Sequence, residues 1–415
     1  MKAAVGLSGG VDSALAAALL KEQGYQVTGV FIECWNEPAS PSSPRVEAGL
    51  GGPGCRTDED RKDALGVALK LKIPFKVLDF KKEYKQKVLD WFYREYKKGR
   101  TPNPDIVCNQ EIKFGMFLEW VLENGFEYMA TGHYAQIGVG STRQTLARHA
   151  KFPGAQSFAT PPSAARQTSS APEICVACAE THLFRSADEQ KDQTYFLAML
   201  KEKQLRRVLF PIGHLTKKQV RLEAKERGLA VWNKKDSSGI CFVGHDLNFR
   251  KFLKRKIKEH EGEAVDKKGK VIGKHQGFEF YTIGQRYAKP LFVIEKDIKN
   301  NRLIVGSKKD LEKKQFAVEG WSRIRGIGGI RPLKLTKDMK SKGYSPLTAM
   351  GKSQNTLKVR IRHQGRLIPC KIVGKKVFLK QGEYGIAPGQ VAVVYRETVG
   401  SVLTGLECLG GGVIV

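Results

Sequence analysis

Three short stretches carry residue types that could do chemistry. The first is SGGVDS at residues 8–13, where the apolar run MKAAVGL gives way to ALAAALLKEQG. Gly9 and Gly10 let a backbone approach an anion closely, Ser8 and Ser13 add hydroxyl donors, and Asp12 is a carboxylate that could hold Mg²⁺ beside phosphates. The lysine of a Walker A loop and its spacing are absent. The second stretch is GRTPNPDIVCNQEIKF (99–114), with Asp105 three residues before Cys108. Here Cys108 is expected just ahead of a helix that Asn109 could cap, a position that lowers a thiol below about 8.5. A packed cysteine in a helix-start loop is the other reading, and Pro102 and Pro104 stiffen the approach either way. The third is DSSGICFVG (236–244), whose Cys241 lies between Ile240 and Phe242; taken alone it reads as a buried core thiol.

The elements that must position these residues follow from periodicity. The first half alternates strand-like and helix-like runs: VTGVFIECW (27–35), RKDALGVALKLKI (61–73), FKVLDF (75–80), EYKQKVLDWFYREYKKG (83–99), EIKFGMFLEWVLENG (111–125) and YMATGHY (128–134). Such alternation predicts an α/β fold, a parallel sheet with helices on both faces. SGGVDS then sits outside the carboxyl end of a strand, where ligands bind such sheets and where free N–H groups and the helix dipole favour a phosphate. Pro/Gly/Ser-rich 37–54 and low-complexity 140–173 read as surface insertions. From Asn248 the chain turns basic, with Phe249, Phe252, Leu253 and Ile257 on one helical stripe. After Gln285 come short β-type runs, LFVIEK, RLIVGS, LKVRIRH, IPCKIV, KKVFLK, VAVVY and GGGVIV, which predict a barrel-like β domain. The expected division is a domain over 1–247 (insertions about 37–54 and 140–180), a small basic domain over 248–288 and a β-barrel over 289–415.

Composition narrows the partner. The 415 residues carry 71 Lys+Arg against 42 Asp+Glu, a formal charge of +29. That excess favours a polyanion, nucleic acid ahead of a membrane surface. KKEYKQK, REYKKGR and RKFLKRKIK are ordinarily solvated faces and, beside RNA, become phosphate tracks. No apolar run has the length of a membrane span. The first residues already read as a core strand, so no leader is expected, and the eight cysteines are expected as thiols in a reducing, cytoplasmic compartment. In EICVACAETH (173–182), Cys175, Cys178 and His182 make only half a zinc site, so a surface pair without metal is expected. Cys34, Cys55, Cys370 and Cys408 read as packing residues; His149 and His214 have no partner legible in the sequence.

SGGVDS resembles the PP-loop of ATP pyrophosphatases, which implies cleavage of ATP between its α- and β-phosphates to adenylate a substrate. Together with NPDIVCN, TGHY, KDQTYF, DSSGICF, HQGFEFYTIGQR and the closing LGGGVIV, in that order from first strand to last, the chain resembles the bacterial tRNA-specific 2-thiouridylases. The resemblance implies a HUP-like PP-loop domain, a small central domain and a C-terminal β-barrel gripping an anticodon stem-loop, with ATP and Mg²⁺ as cofactors. It assigns Gly6, Leu7, Ser8, Gly9, Gly10, Val11, Asp12 and Ser13 to the ATP loop, Ile32 to the adenine and Gly132 to the nucleotide site. Asn103, Pro104 and Asp105 would meet the target uridine. Cys108 matches the nucleophile and Cys241 the cysteine that receives a persulfide. His133, Lys191, Asp192, Gln193 and Gln390 match tRNA-contacting positions, and Arg360 and Ile361 fall where the family has an Arg–Tyr pair.

The implied reaction is 2-thiolation of a wobble uridine. Adenylation makes AMP the leaving group from C2, a persulfide on Cys241 supplies sulfur, and Cys108 attacks the persulfide or the mixed intermediate to leave a Cys108–Cys241 disulfide. Asp105 would carry the proton. Implied partners are the tRNA and a persulfide donor, such as a cysteine desulfurase or sulfur-relay protein; a monomer suffices. Three other readings stay open at this point: a PP-loop ligase acting on a small molecule, an RNA-binding module without chemistry, and a variant whose cysteines hold an iron–sulfur cluster.

Overall fold

The structure, a computed structural model, describes residues 1–35, 57–140, 180–236, 249–323, 357–398 and 405–415. Cys241, both insertions, Cys55, Cys175, Cys178 and His149 lie outside the described residues. Strands β1 (Lys2–Gly6), β2 (Gln26–Glu33), β3 (Phe75–Asp79) and β4 (Tyr128–Ala130) join β7 (Val208–Leu209) in one sheet of order β3-β2-β1-β4-β7. Every neighbouring pair in it is parallel. The order reverses between β1 and β4, so their carboxyl ends open the crevice in which such sheets bind ligands.

Helix α1 (Val11–Glu22) follows β1 at that edge. Its run of small and apolar residues, Ala14 to Ala18 with Val11, Leu15 and Leu20, is buried nearly all round, as a helix sandwiched between sheet and neighbouring helices must be. Helix α2 (Thr57–Leu71) packs against the same cluster through Ala64, Val67 and Ala68. Helices α3 (81–97) and α4 (104–123) cover the region on the other side, and both contain π-helical turns, at Lys85–Leu89 and Cys108–Phe117. Such wide turns often mark functional sites. Helix α5 (Lys217–Glu226) starts on a Thr216 cap that accepts from the Gln219 N–H, the S/T-x-x-E/Q logic of a capping box.

The basic helix α6 (Phe249–Lys254) turns its apolar stripe inward: Phe252, Leu253 and Ile257 are buried with Tyr84, Val88 and Phe92 of α3 and with Cys108. Tyr93 stacks on Phe252 at 5.5 Å. Beyond it, β8 (Gly262–Val265), β9 (Val271–His275), β10 (Arg286–Ala288), β11 (Leu291–Asp297) and β12 (Arg302–Gly306) form a second sheet, order β10-β11-β12-β8-β9. LFVIEK and RLIVGS therefore do not join the closing β domain expected from sequence. They form β11 and β12, and β12 runs parallel to β8; alternation marks a strand but not its partner.

The last strands are β13 (Glu312–Arg323), β14 (Leu357–Arg360), β15 (Ile368–Val373), β16 (Lys376–Tyr384), β17 (Val391–Thr398) and β18 (Gly405–Ile414). Their order β13-β16-β15-β14-β17-β18 closes through β13–β18 pairing into a six-stranded barrel. Closure removes the exposed edges of an open sheet. YMATGHY is a strand only to Ala130; after Tyr134 the chain enters β5 (Ala135–Gly140), which pairs with β6 (Glu180–Arg185), and β6 extends the barrel sheet at β18. The parallel-sheet domain thus lends the paired strands β5 and β6 to the barrel sheet. Among the described residues, no helix is long and apolar enough to cross a membrane.

Candidate active site

The loop between β1 and α1 is built by its small residues. Gly9 has φ +73°, and a Cβ there would fall 2.3 Å from the Asp60 carbonyl oxygen of α2, so no other residue fits both conformation and space. A Cβ on Gly132 would lie 2.6 Å from the Ser13 nitrogen, so TGHY needs a glycine at its second position to dock on the start of α1. The Ser8 N–H donates to Ser13 Oγ at 3.1 Å, and that hydroxyl donates to the Gly10 carbonyl at 3.1 Å. The turn is held before any ligand arrives.

Asp12, in the first turn of α1, accepts from Tyr134 Oη at 2.7 Å and from Lys217 Nζ at 2.8 Å. Lys217 Nζ also reaches Asp236 at 2.8 Å, and Asp236 takes Lys191 Nζ at 2.6 Å and Arg221 at 2.9 Å. Burial alone would raise the Asp236 pKa, but the hydrogen bonds from Lys191 and Lys217 overcome it and hold it at about 2. Lys217 is thus a cation at the mouth of the loop, 205 residues from Asp12. Nothing in LTKKQVR marks it except the capping box that starts its helix.

The cysteine helix departs from expectation. Asn103, not Asn109, caps it: Asn103 Oδ1 accepts from the Asp105 N–H at 3.1 Å and the Ile106 N–H at 3.3 Å, with Pro104 in the first turn. Proline suits that turn because its missing N–H needs no partner. Asn109 is buried instead, donating to the Phe196 carbonyl at 3.1 Å. Cys108 therefore stands one turn inside the helix, 6% exposed. Burial pushes its thiol up, Asp105 adds to this, and only Lys113 opposes it.

Burial likewise raises Asp105 while Lys113 lowers it, and burial with Lys113 keeps His133 neutral, well below its usual range. The Lys113 charge acts on all three groups, five residues on from Cys108 along the π-helical stretch. Sequence reasoning passed over it. His133 is fixed by Thr131 Oγ1 at 2.8 Å from Nδ1 and by the Phe114 ring at 5.6 Å. The end of β1 lies beside this helix, since a Cβ on Gly6 would be 3.4 Å from the Phe117 ring.

The remaining candidates divide sharply. Ile32 packs where the clusters around β1 and around Cys108 meet. Gln193 Oε1 accepts from the Tyr134 N–H at 2.9 Å, tying KDQ to TGHY. Asp192, Arg360 and Ile361 are buried. The Asp192 carboxylate takes Arg185 Nε at 2.9 Å and Arg360 at 3.2 Å, so these three join the barrel to the KDQ turn and present nothing to a ligand in this form. Gln390 follows Gly389 at the barrel rim, its Oε1 buried without a hydrogen-bond partner.

Comparison with known proteins agrees with this layout. The family described as the tRNA methyl transferase HUP domain matches residues 1–245, the tRNA methyl transferase PRC-barrel domain matches 250–307, and the aminomethyltransferase beta-barrel domain matches 338–414. The tRNA-specific 2-thiouridylase MnmA of Streptococcus thermophilus is 36% identical, over 99% of this chain and 94% of that protein. Its namesake from Streptococcus agalactiae is 36% identical over 100% of this chain and 95% of its own. The one from Levilactobacillus brevis is 44% identical over 73% of this chain and 71% of its own. With a match that runs from the loop through the barrel, the chain belongs to the tRNA-specific 2-thiouridylase MnmA family.

Proposed function

We propose that this protein is an ATP-dependent tRNA-uridine 2-sulfurtransferase that thiolates C2 of a wobble uridine. The observation that carries the reading is the junction made by the TGHY turn, where Gly132 packs on the Asp12–Ser13 backbone of the glycine loop and His133 on the Phe114 ring of the helix that bears Asp105 and Cys108. An enzyme that must adenylate an oxygen and then replace it with sulfur needs both within reach of one base.

ATP would lie with its phosphates on the N-terminus of α1, where the Gly9–Gly10 turn and the dipole favour negative charge. Lys217 is placed to meet charge developing on pyrophosphate, a preorganised cation of the kind that stabilises transition states. Mg²⁺ fits as an ion carried in on the nucleotide. Asp12 is a hard oxygen donor at the loop, and such sites need only one or two carboxylates, although its oxygens are now engaged by Lys217 and Tyr134. The ion would neutralise charge on the pyrophosphate leaving group. A flipped-out uracil would enter beside Asn103–Asp105.

Sulfur transfer then balances as follows. The terminal sulfur of a Cys241 persulfide attacks C2, and the C2–O bond breaks to release AMP. The Cys108 thiolate attacks Cys241 Sγ, forming a Cys108–Cys241 disulfide and leaving the electron pair on the sulfur at C2. The reverse order, in which Cys108 attacks the persulfide first and frees hydrogensulfide to attack C2, ends in the same disulfide. Neutral His133, and burial that disfavours the charged form of Asp105, limit the negative charge met by the polyanionic substrate. The tRNA is held by the basic surface, the enzyme acts as a monomer in the cytoplasm, and a reductant restores the two thiols.

The test is to incubate the protein with ATP, a persulfide donor and unmodified tRNA, and to assay 2-thiouridine, AMP and pyrophosphate. Cys108→Ser and Cys241→Ser should each abolish 2-thiouridine while the pyrophosphate formed on adenylation is still released. A product methylated at the same uridine, or thiolation surviving both substitutions, would overturn the reading.

A further inference from the structure

Just before the Asn103 cap, residues 99–103 run as a strap between the end of α3 and the start of α4, and both small domains grip it. From the central sheet, Lys296 of β11 donates its Nζ to the Gly99 carbonyl at 3.0 Å. Gly99 has φ +72°, and a Cβ there would fall 2.8 Å from Ile298 Cδ1 and 3.5 Å from the Phe278 ring. From the barrel, the Pro388 carbonyl accepts the Thr101 N–H at 2.7 Å. Gly389, at φ +92°, lies so close that a Cβ would meet the Thr101 nitrogen at 2.8 Å. Arg100 is held sideways by Glu95 of α3 at 2.9 Å. Two glycines, one on each side, let three domains close on one stretch of backbone.

We infer that Lys296 is a positioning residue for thiolation: by fastening Gly99, it lets the central domain set the Asn103–Cys108 helix start on which the reaction depends. The inference rests on the proposed function and adds a role for the central domain beyond holding RNA. A lysine is costly in this place. Burial drives its pKa down to about 8, with the Glu279 carboxylate opposing the fall, and a half-buried cation satisfied by a single carbonyl is not what packing alone would select. Glu279 is itself engaged by His260 at 2.9 Å, so it does not neutralise Lys296 unshared. The ammonium does what an apolar side chain of the same length cannot, which is to tether a carbonyl at the exit of α3.

The experiment compares full-length wild type with Lys296→Met, which keeps the apolar stem, and Lys296→Arg, which keeps a cationic donor. Lys296→Met should lower kcat for 2-thiouridine about tenfold or more, since small misplacements of reacting groups are that expensive, with KM for ATP unchanged. Alkylation of Cys108 by iodoacetamide should rise about tenfold as the helix start opens more often, and Lys296→Arg should recover most of both. Hydrogen exchange should quicken at amides 101–108 and stay unchanged at Lys2–Gly6. Equal quickening at both, or wild-type alkylation and kcat in Lys296→Met, overturns the inference. If the wild type makes no 2-thiouridine, the proposed function fails, while alkylation and exchange still decide whether Lys296 holds the strap.

Discussion

The glycine loop after β1 and the cysteine helix flank the TGHY turn, yet they hold charge in opposite ways. Around the loop, charge is out in the open and already paired: Asp12, Lys217, Asp236 and Lys191 form one partly exposed chain. Around Cys108 charge is suppressed. The thiol is pushed up by burial, Asp105 holds its proton more tightly than usual, and His133 is neutral. The contrast fits the two half-reactions. Pyrophosphate release needs fixed positive charge at the moment of cleavage, whereas a sulfur nucleophile is safest stored as a thiol and ionised only once the substrate is seated.

This contrast can be broken at the loop with the largest effect. Gly9→Ala puts a Cβ into the Asp60 carbonyl at a left-handed φ. ATP-dependent AMP release should fall by about 10³-fold, because strain and displacement both act on the turn proposed to hold the phosphates. Cys108 alkylation should stay as in wild type; if it changed equally, the two regions would not be separable. Lys217→Met is milder. It removes one cation and leaves Asp12 with Tyr134, so AMP release should drop about 10²-fold with tRNA binding by filter retention unchanged. Undiminished release would mean that Lys217 serves only to hold α5.

The smallest effect sharpens the comparison on the thiol side. The folded-state pKa of Cys108 lies above its unfolded value of about 8.5, so folding binds the proton more tightly. The stability that depends on the protonated thiol is complete below that value and is lost as pH rises through and beyond it. The urea midpoint should therefore fall between pH 7.5 and pH 9.5, and fall less in Cys108→Ala. Buried Cys370 and Cys408, also pushed up, leave a residual slope common to both proteins. Equal slopes in the two would place the Cys108 thiol in solvent.

What could be read along the chain was whatever chemistry needs neighbours in sequence. The β1–loop–α1 corner is such a case, since a strand, two glycines and a helix set a tight turn at a helix N-terminus without help from elsewhere. Asn103 and Asn109 show the limit even at short range: both can cap, and Pro104 together with the demand to bury Asn109 against Phe196 decides between them. Lys217 was invisible because its partner Asp12 is 205 residues away, and Lys113 because its value comes from three groups that only a π-helical stretch and the β4 turn bring around it. Asp192 and Arg360 look like ligand-facing charges in one dimension. In three they are a buried pair that fastens the barrel to the KDQ turn.

By itself, the amino-acid sequence determined the parallel-sheet domain, the glycine turn after β1, the family motifs and the net basic charge, because periodicity, glycine placement and net charge are local or summed properties. Only the tertiary structure decided that β11 and β12 pair in the central sheet and that the barrel takes β5 and β6 as an extension. It alone decided that the thiol is stored under cover, and that Lys296 and Pro388 meet across one strap. Those outcomes depend on which distant surfaces bury each other, and burial sets both the partner of a strand and the charge of a side chain.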